Sequence, residues 1–378
     1  MSTMSDRLRR IGGLKWTYYD EDVLPAWVAE MDFGLAPAVS EALHRAVDDG
    51  ITGYPYPDAE ESMAEAAVDF WSDWFHWTVD PTWVLPAPDV IEGIRRAIVH
   101  LTRPGSPVVL HTPVYFPFFS MVERAGREII EAPSRVDENG RYTIDLGAIE
   151  RGFEAGAGSV VICNPWNPTG RVLTREELED VLSLAAKHDA RFIADEIHGA
   201  ITYDRTHVPV ALLDAANTVT VTAASKAWNL PGLKCAQVVL TNEADREAWK
   251  DYFAPHMVGV GTFGLIATEA AYSKGREWFE EVRKRLAANR DLLSALVAEH
   301  LPRAGFTPPE GTYLAWLDME EYGLDDPYRF LVDRARVATS AGAHFRGGGD
   351  QHVRLNFATE TGILVDIVER MGSALKTV

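Results

Sequence analysis

Between about Ala36 and Ser273, short β-branched runs alternate with helical stretches, which restricts the chain to a mostly parallel sheet covered by helices. The runs are Val108–His111, Ser159–Cys163, Arg191–Ala194, Thr218–Thr222 and Cys235–Leu240. They are short and largely apolar, as strands buried on both faces must be. Thr174–His188 opens with Thr174 and, three places on, Glu177, a capping box, and then carries Leu178, Val181, Leu182 and Ala185 at helical spacing. It reads as a capped helix.

After about Gly275 the pattern changes to a long charged helix over Arg276–His300, a strand over Thr312–Leu317, a helix around Asp326–Arg336, and a final strand and helix. The expected class is therefore α/β, with a large domain (36–275) holding a mostly parallel sheet between helices and a smaller α+β domain (276–378). Residues 1–35 have no regular period but several aromatics, Trp16, Tyr18, Tyr19 and Trp27, and read as an arm or a segment of the smaller domain. No internal repeat or low-complexity tract interrupts this order.

Composition removes several functions. The 378 residues carry 36 Lys plus Arg against 56 Asp plus Glu, a net charge of −20 that repels nucleic acid and anionic lipid. The two cysteines, Cys163 and Cys235, are far apart, so neither a disulfide framework nor a thiolate metal site is expected, and a reducing cytoplasm fits. No histidine pair has metal-ligand spacing on one helix face, so no metal is expected. The longest stretches free of Asp, Glu, Lys and Arg, Pro107–Val122 and Tyr252–Thr268, are broken by Pro or Gly, so no membrane span is expected; the N-terminus carries no apolar run of a secretory signal.

Four segments carry the candidate chemistry, each just after or within an expected strand, where open α/β sheets bind their ligands. Asn164-Pro-Trp-Asn-Pro-Thr-Gly170 is a turn-rich segment of a kind found on many surfaces. Ala194-Asp-Glu-Ile-His198 delivers a carboxylate and, three residues on, an imidazole. Thr222-Ala-Ala-Ser-Lys226 ends a strand in small residues before a lysine, a residue type that is usually solvated. Val353-Arg-Leu-Asn-Phe357 places an arginine inside an apolar strand; it demands an anion, either a structural carboxylate or a ligand, because it cannot shed its proton. Two glycine motifs are set aside. Gly259-Val-Gly-Thr-Phe-Gly264 matches a dinucleotide fingerprint but follows Ala254–Val258 rather than a strand, and Gly347–Gly349 reads as a mobile loop.

Taken together, in this order and spacing, the four segments resemble fold-type I pyridoxal-phosphate (PLP) enzymes, the aspartate aminotransferase superfamily. Leu24–Phe33, the Gly53-Tyr54 pair, Ser225–Gln237 and Gly311–Met319 look most like bacterial cystathionine β-lyases and cysteine-S-conjugate β-lyases. The resemblance implies that Lys226 holds PLP through its amine and serves as the base on Cα. It also implies that Asp195 pairs with the pyridine nitrogen, that Asn167 and His198 bond the phenolic oxygen, and that Tyr115 stacks on the ring. The phosphate would sit on the backbone N–H groups of Asp89 and Val90, with Ser225, Lys234 and a Tyr54 reaching in from the partner of a homodimer. Since Asp89 is an anion, its side chain must turn away or cap the helix. Arg354 would clamp the substrate α-carboxylate, and Trp27 and Trp166, with Phe116, Trp228 and Tyr313, would shape a pocket for an S-substituent. Two positions depart from the family pattern: Ala223 stands where relatives commonly carry a hydroxyl, and Lys234 where many carry arginine.

The implied reaction is α,β-elimination of an S-substituted L-cysteine, cystathionine among them, to a thiol, pyruvate and ammonia. The same residues would also serve an L-amino-acid aminotransferase or other PLP chemistry on a sulfur-containing intermediate. A regulatory binding protein on the same fold is the alternative outside enzymology.

Overall fold

Seven strands build the main sheet: β1 (Val84–Ala87), β2 (Val108–Thr112), β3 (Ile129–Pro133), β4 (Ser159–Cys163), β5 (Arg191–Asp195), β6 (Thr218–Thr222) and β7 (Ala236–Leu240). Their spatial order is β1-β7-β6-β5-β4-β2-β3 in the computed structural model, which describes residues 4–250 and 259–378. Strands β2, β4, β5, β6 and β7, which lie inside the sheet, are wholly or largely buried, as two-sided helical cover requires. The part of the charge-free stretch at 252–258, with Ala254–Val258, lies outside the described residues.

The expected strands form where the β-branched runs are, with one change of direction. β7 is antiparallel to both β1 and β6. This reversal matters, because it brings the start of β7, and Lys234 just before it, to the same edge as the ends of β4, β5 and β6. A parallel β7 would have carried Lys234 to the opposite edge. The two strands without a clear sequence signal, β1 and β3, are the sheet's edges: β1 contains Pro86, which an edge tolerates, and β3 has exposed Glu131 and Pro133.

The helix Arg175–Lys187 is closed by the expected capping box: Glu177 N–H donates to Thr174 Oγ1 at 3.2 Å, and Thr174 N–H donates to Glu177 Oε2 at 2.9 Å. Helix Arg276–His300 and helix Thr361–Leu375 flank an antiparallel sheet in the order Gly305–Phe306, Leu314–Asp318, His352–Asn356, Ser340–Ala341. Among the described residues no helix is long and apolar enough to cross a membrane.

The arm begins with a helix, Met4–Ile11, that the sequence pattern did not announce. Leu24–Pro25 then pairs in parallel with Val337–Ala338, and Arg336 binds both Asp20 and Asp22. Residues 26–31 are fastened by Asn356, whose Nδ2 donates to Val28 O at 2.6 Å and Glu30 O at 2.7 Å. Asn229 pins the end of this stretch through both backbone groups of Met31.

Two positions of the glycine run are packed and one is open. A Cβ on Gly347, at φ +58°, would lie 2.6 Å from Pro113 N; on Gly348, at φ +82°, it would meet nothing within 4 Å; on Gly349 it would lie 2.5 Å from Gly342 O. Conformational strain is thus common to the first two positions, and a backbone collision is added only at the first. G348A should lower stability by about 1 kcal/mol and G347A by more than about 2 kcal/mol, read as midpoint shifts in urea at constant slope. Equal losses would contradict the packing described.

Candidate active site

Parallel register fixes the site. Cys163 lies opposite Asp195 and Asp195 opposite Val221, so the segments after β4, β5 and β6 leave the sheet side by side. They deliver Asn167, then Asp195 and His198, then Ser225 and Lys226, to one cavity of about 250 Å³. The turn after β2 adds Tyr115 and Phe116, the turn before β7 adds Lys234, and the arm crosses the mouth with Trp27, Val28 and Ala29. Arg354 enters from the antiparallel sheet.

Helix physics makes one end of the cavity suited to an anion. Helix Val90–Leu101 is capped by Asp89, whose Oδ1 accepts from Glu92 N–H at 2.8 Å and whose Oδ2 takes Lys234 Nζ at 3.0 Å. The Asp89 side chain therefore does cap its helix. The first N–H groups of that helix have no internal partner, and Asp89, Val90 and Ile91 line the cavity. Ser225 lines the same end. Ala223 presents only a methyl group there, while the hydroxyl of its neighbour Thr222 is turned to Glu196 O at 3.1 Å.

Three charged groups are held without the counter-charges that burial normally demands. Arg354 is 3 % exposed and binds neutral acceptors only: Asn167 Oδ1 at 2.9 Å, Trp27 O at 2.8 Å and Ser340 Oγ at 3.0 Å. Its Nε has no partner, no carboxylate among the described residues pairs with it, and burial lowers its pKa to about 10. Lys226 donates to Ala29 O at 2.9 Å, and burial, reinforced by the Arg354 charge, brings its pKa down to about 8. Asp195 accepts from Ile197 N–H at 3.1 Å, and burial raises its pKa to about 6. His198 is also buried, which pushes it well below the usual imidazole range, and its Nδ1 has no partner.

This donor set fits PLP. An accessible low-pKa amine suits an aldehyde, a buried carboxylate suits a protonated ring nitrogen, and helix N–H groups with Ser225 suit a phosphate. Arg354 remains over for a carboxylate, with its guanidinium over the Phe345 ring at 5.0 Å.

Some expected positions fall elsewhere. Trp166 is a core residue, 1 % exposed: its Nε1 donates to Pro113 O at 2.7 Å and its ring packs on His111. The turn after β4 points this ring at the helix-covered face, so it shapes no substrate pocket. Trp228 is likewise core, bonded to Gly275 O, and Tyr313 is buried with its hydroxyl on Ala29 O, the same carbonyl that takes Lys226. Tyr54 is 86 % exposed and lies in a separate depression with Gly53 and Thr262, away from the cavity of its own chain. Ser340, Ile91, Ile197 and Pro231 line the cavity without having been singled out. Ser340 is the cross-strand neighbour of Arg354, a relation that sequence spacing cannot express. In Gly259–Gly264, Gly261 caps the helix Thr262–Lys274, and the residues before Gly259 lie outside the described ones.

Comparison with known proteins agrees with this geometry. Residues 27–368 match the family of aminotransferases class I and II. A cystathionine beta-lyase of Corynebacterium glutamicum is 40% identical over 376 residues, covering 98% of each chain. Another, from Bacillus subtilis, is 33% identical over 384 residues, again covering 98% of each chain. The structure of a PLP-bound C–S lyase from Staphylococcus hominis superimposes with a TM-score of 0.90 at 26% identity, covering 97% of this chain and 96% of the other.

The raised pKa of Asp195 carries a stability consequence. An acid whose folded pKa lies above its unfolded value, here about 6 against 3.8, destabilises the fold above about pH 6 and ceases to do so below the unfolded pKa. In the PLP-free protein, D195N should therefore be more stable than the parent at pH about 7.5, by on the order of 2 kcal/mol, and the gain should vanish near pH 4. Urea titrations at both pH values measure this. A loss of stability at the higher pH would show that the carboxylate is already compensated.

Proposed function

This chain belongs to the aminotransferase class I and II family, and on that footing we propose that it is a PLP-dependent carbon–sulfur β-lyase of S-substituted L-cysteines, cystathionine among them. The observation that carries the reading is a buried arginine without a carboxylate partner facing a low-pKa lysine in one cavity, in a chain whose nearby relatives are named as β-lyases. PLP, when bound, supplies an electron sink conjugated to the substrate Cα. Lys226, Asp195, Tyr115, Asn167 and His198 would hold its ring, and Asp89 and Val90 N–H, Ser225 and Lys234 its phosphate. Tyr54 would complete that cup from the partner of a cytoplasmic homodimer, which gives its exposed ring a place to go.

The protein's own steps follow from the geometry. Arg354 clamps the α-carboxylate and fixes which bond at Cα faces Lys226. The Lys226 amine, neutral in a substantial fraction near pH 7 to 8, moves the Cα proton. Trp27 and Phe116, both on the cavity wall, would contact the sulfur substituent. In balance, one S-substituted cysteine and one water give a thiol, pyruvate and ammonium. A thiolate leaves far more readily than an alkoxide, which biases the outcome to elimination.

The decisive assay supplies S-ethyl-L-cysteine without a keto acid. Sustained ethanethiol and pyruvate over many turnovers are expected; one equivalent of 3-(ethylthio)pyruvate per enzyme, its C–S bond intact and formed continuously only when a keto acid is added, would make the chain an aminotransferase. R354M should raise KM for this substrate by roughly 100-fold, as expected for loss of a buried charge-assisted carboxylate contact. Because the folded state disfavours the Arg354 charge, the thermal midpoint of PLP-free R354M should not fall below that of the parent. An unchanged KM would remove Arg354 from substrate binding.

A further inference from the structure

Outside the cavity lining lies a buried polar chain that no step above uses. Its polarity can be read bond by bond. Leu173 N–H donates to Asn164 Oδ1 at 2.9 Å, which fixes the orientation of that amide. Asn164 Nδ2 therefore faces His207 Nδ1, at 3.3 Å, as a donor. An Nδ1 that accepts carries no proton, so the imidazole is neutral with its hydrogen on Nε2, and Nε2 donates to Glu196 Oε2 at 3.1 Å. The other carboxylate oxygen of Glu196 accepts from Val210 N–H at 2.8 Å. Donation thus runs from Leu173 through Asn164 and His207 to the Glu196 carboxylate, which Val210 meets from the other side.

The chain is sealed. The side chains of His207 and Glu196 are 0 % and 5 % exposed, the Phe75 ring packs edge-on against His207 at 5.3 Å, and a Cβ on Gly199 would already touch the imidazole at 3.0 Å. It also joins the two segments that bear cofactor groups. Asn164 begins the turn that carries Asn167, and its N–H donates to Asp195 O at 2.9 Å; Glu196 directly follows Asp195 and its carbonyl accepts from Gly199 N–H in the turn that carries His198. A carboxylate fixed one residue from Asp195 adds like charge beside it, which favours an Asp195 that shares a proton with a ring nitrogen.

We infer that Asn164, His207 and Glu196 are positioning residues for PLP, locking the Asn167 and Asp195 segments in register and holding a fixed negative charge behind Asp195. The inference rests on the PLP reading above. Its action is indirect, through Asp195, and is comparable to the outer partners that orient ligands in metal sites.

The test compares H207L, which cannot bridge Asn164 and Glu196, with H207Q, whose amide can both accept and donate. PLP affinity is measured by spectral titration of the PLP-free protein, and kcat and KM by the S-ethylcysteine assay. H207L should weaken PLP binding by roughly 10- to 100-fold and lower kcat with KM within about twofold, and H207Q should recover most of both. PLP binding and spectrum in H207L equal to the parent would overturn the inference, as would a loss that H207Q does not restore. Should H207L not fold, nitrogen-resolved NMR of the parent holoenzyme decides: a neutral His207 protonated on Nε2 at pH about 7.5 supports the chain, and a doubly protonated or Nδ1-protonated ring refutes it. A parent protein that binds no PLP would instead sink the functional reading itself.

Discussion

The structure depends on one electrostatic constraint: Lys226, Asp195 and Arg354 are confined to a single cavity, and none has the counter-ion that burial calls for. Each is displaced from its ordinary pKa towards its neutral form, mainly by loss of water. A fold tolerates such an arrangement when bound molecules complete it. On the proposed reading a ring nitrogen, an aldehyde with its phosphate, and a substrate carboxylate would supply the three missing partners, and the cost of burying the charges would become selectivity for those groups.

Sheet topology is what makes the confinement possible. Aligned ends of β4, β5 and β6 set three segments beside one another, the reversed β7 brings Lys234 to the same edge, and the antiparallel sheet leans Arg354 in from the other side. The arm then closes the mouth, held by Asn356 and Asn229 rather than by apolar packing alone. The Glu196–His207–Asn164 chain lies beneath this edge and ties two of the segments together, so the polar interior of the large sheet is organised around the same point as the cavity.

Much of this was legible in the chain. The β-branched runs marked the buried strands, Thr174 and Glu177 marked a helix start, and Arg354 in an apolar strand marked a buried cation. What local sequence could not convey was relations across the fold. Direction of β7 depends on which neighbour it pairs with, not on its own residues. Trp166 and Trp27 have the same composition signal, yet the turn after β4 sends one into the core and the arm lays the other on the cavity wall. Edge strands β1 and β3 lack a full apolar pattern because only part of each is covered. Ser340 and His207 act through partners 14 and 11 residues or more away in the chain, and no spacing rule points to them.

The central claim is a covalent one and can be tested at a single atom. PLP-loaded protein is reduced with borohydride, digested, and mapped by mass spectrometry. The account predicts one phosphopyridoxyl group per chain, on Lys226. Label on a different lysine, or a protein that stays unlabelled after saturation with PLP, would contradict it.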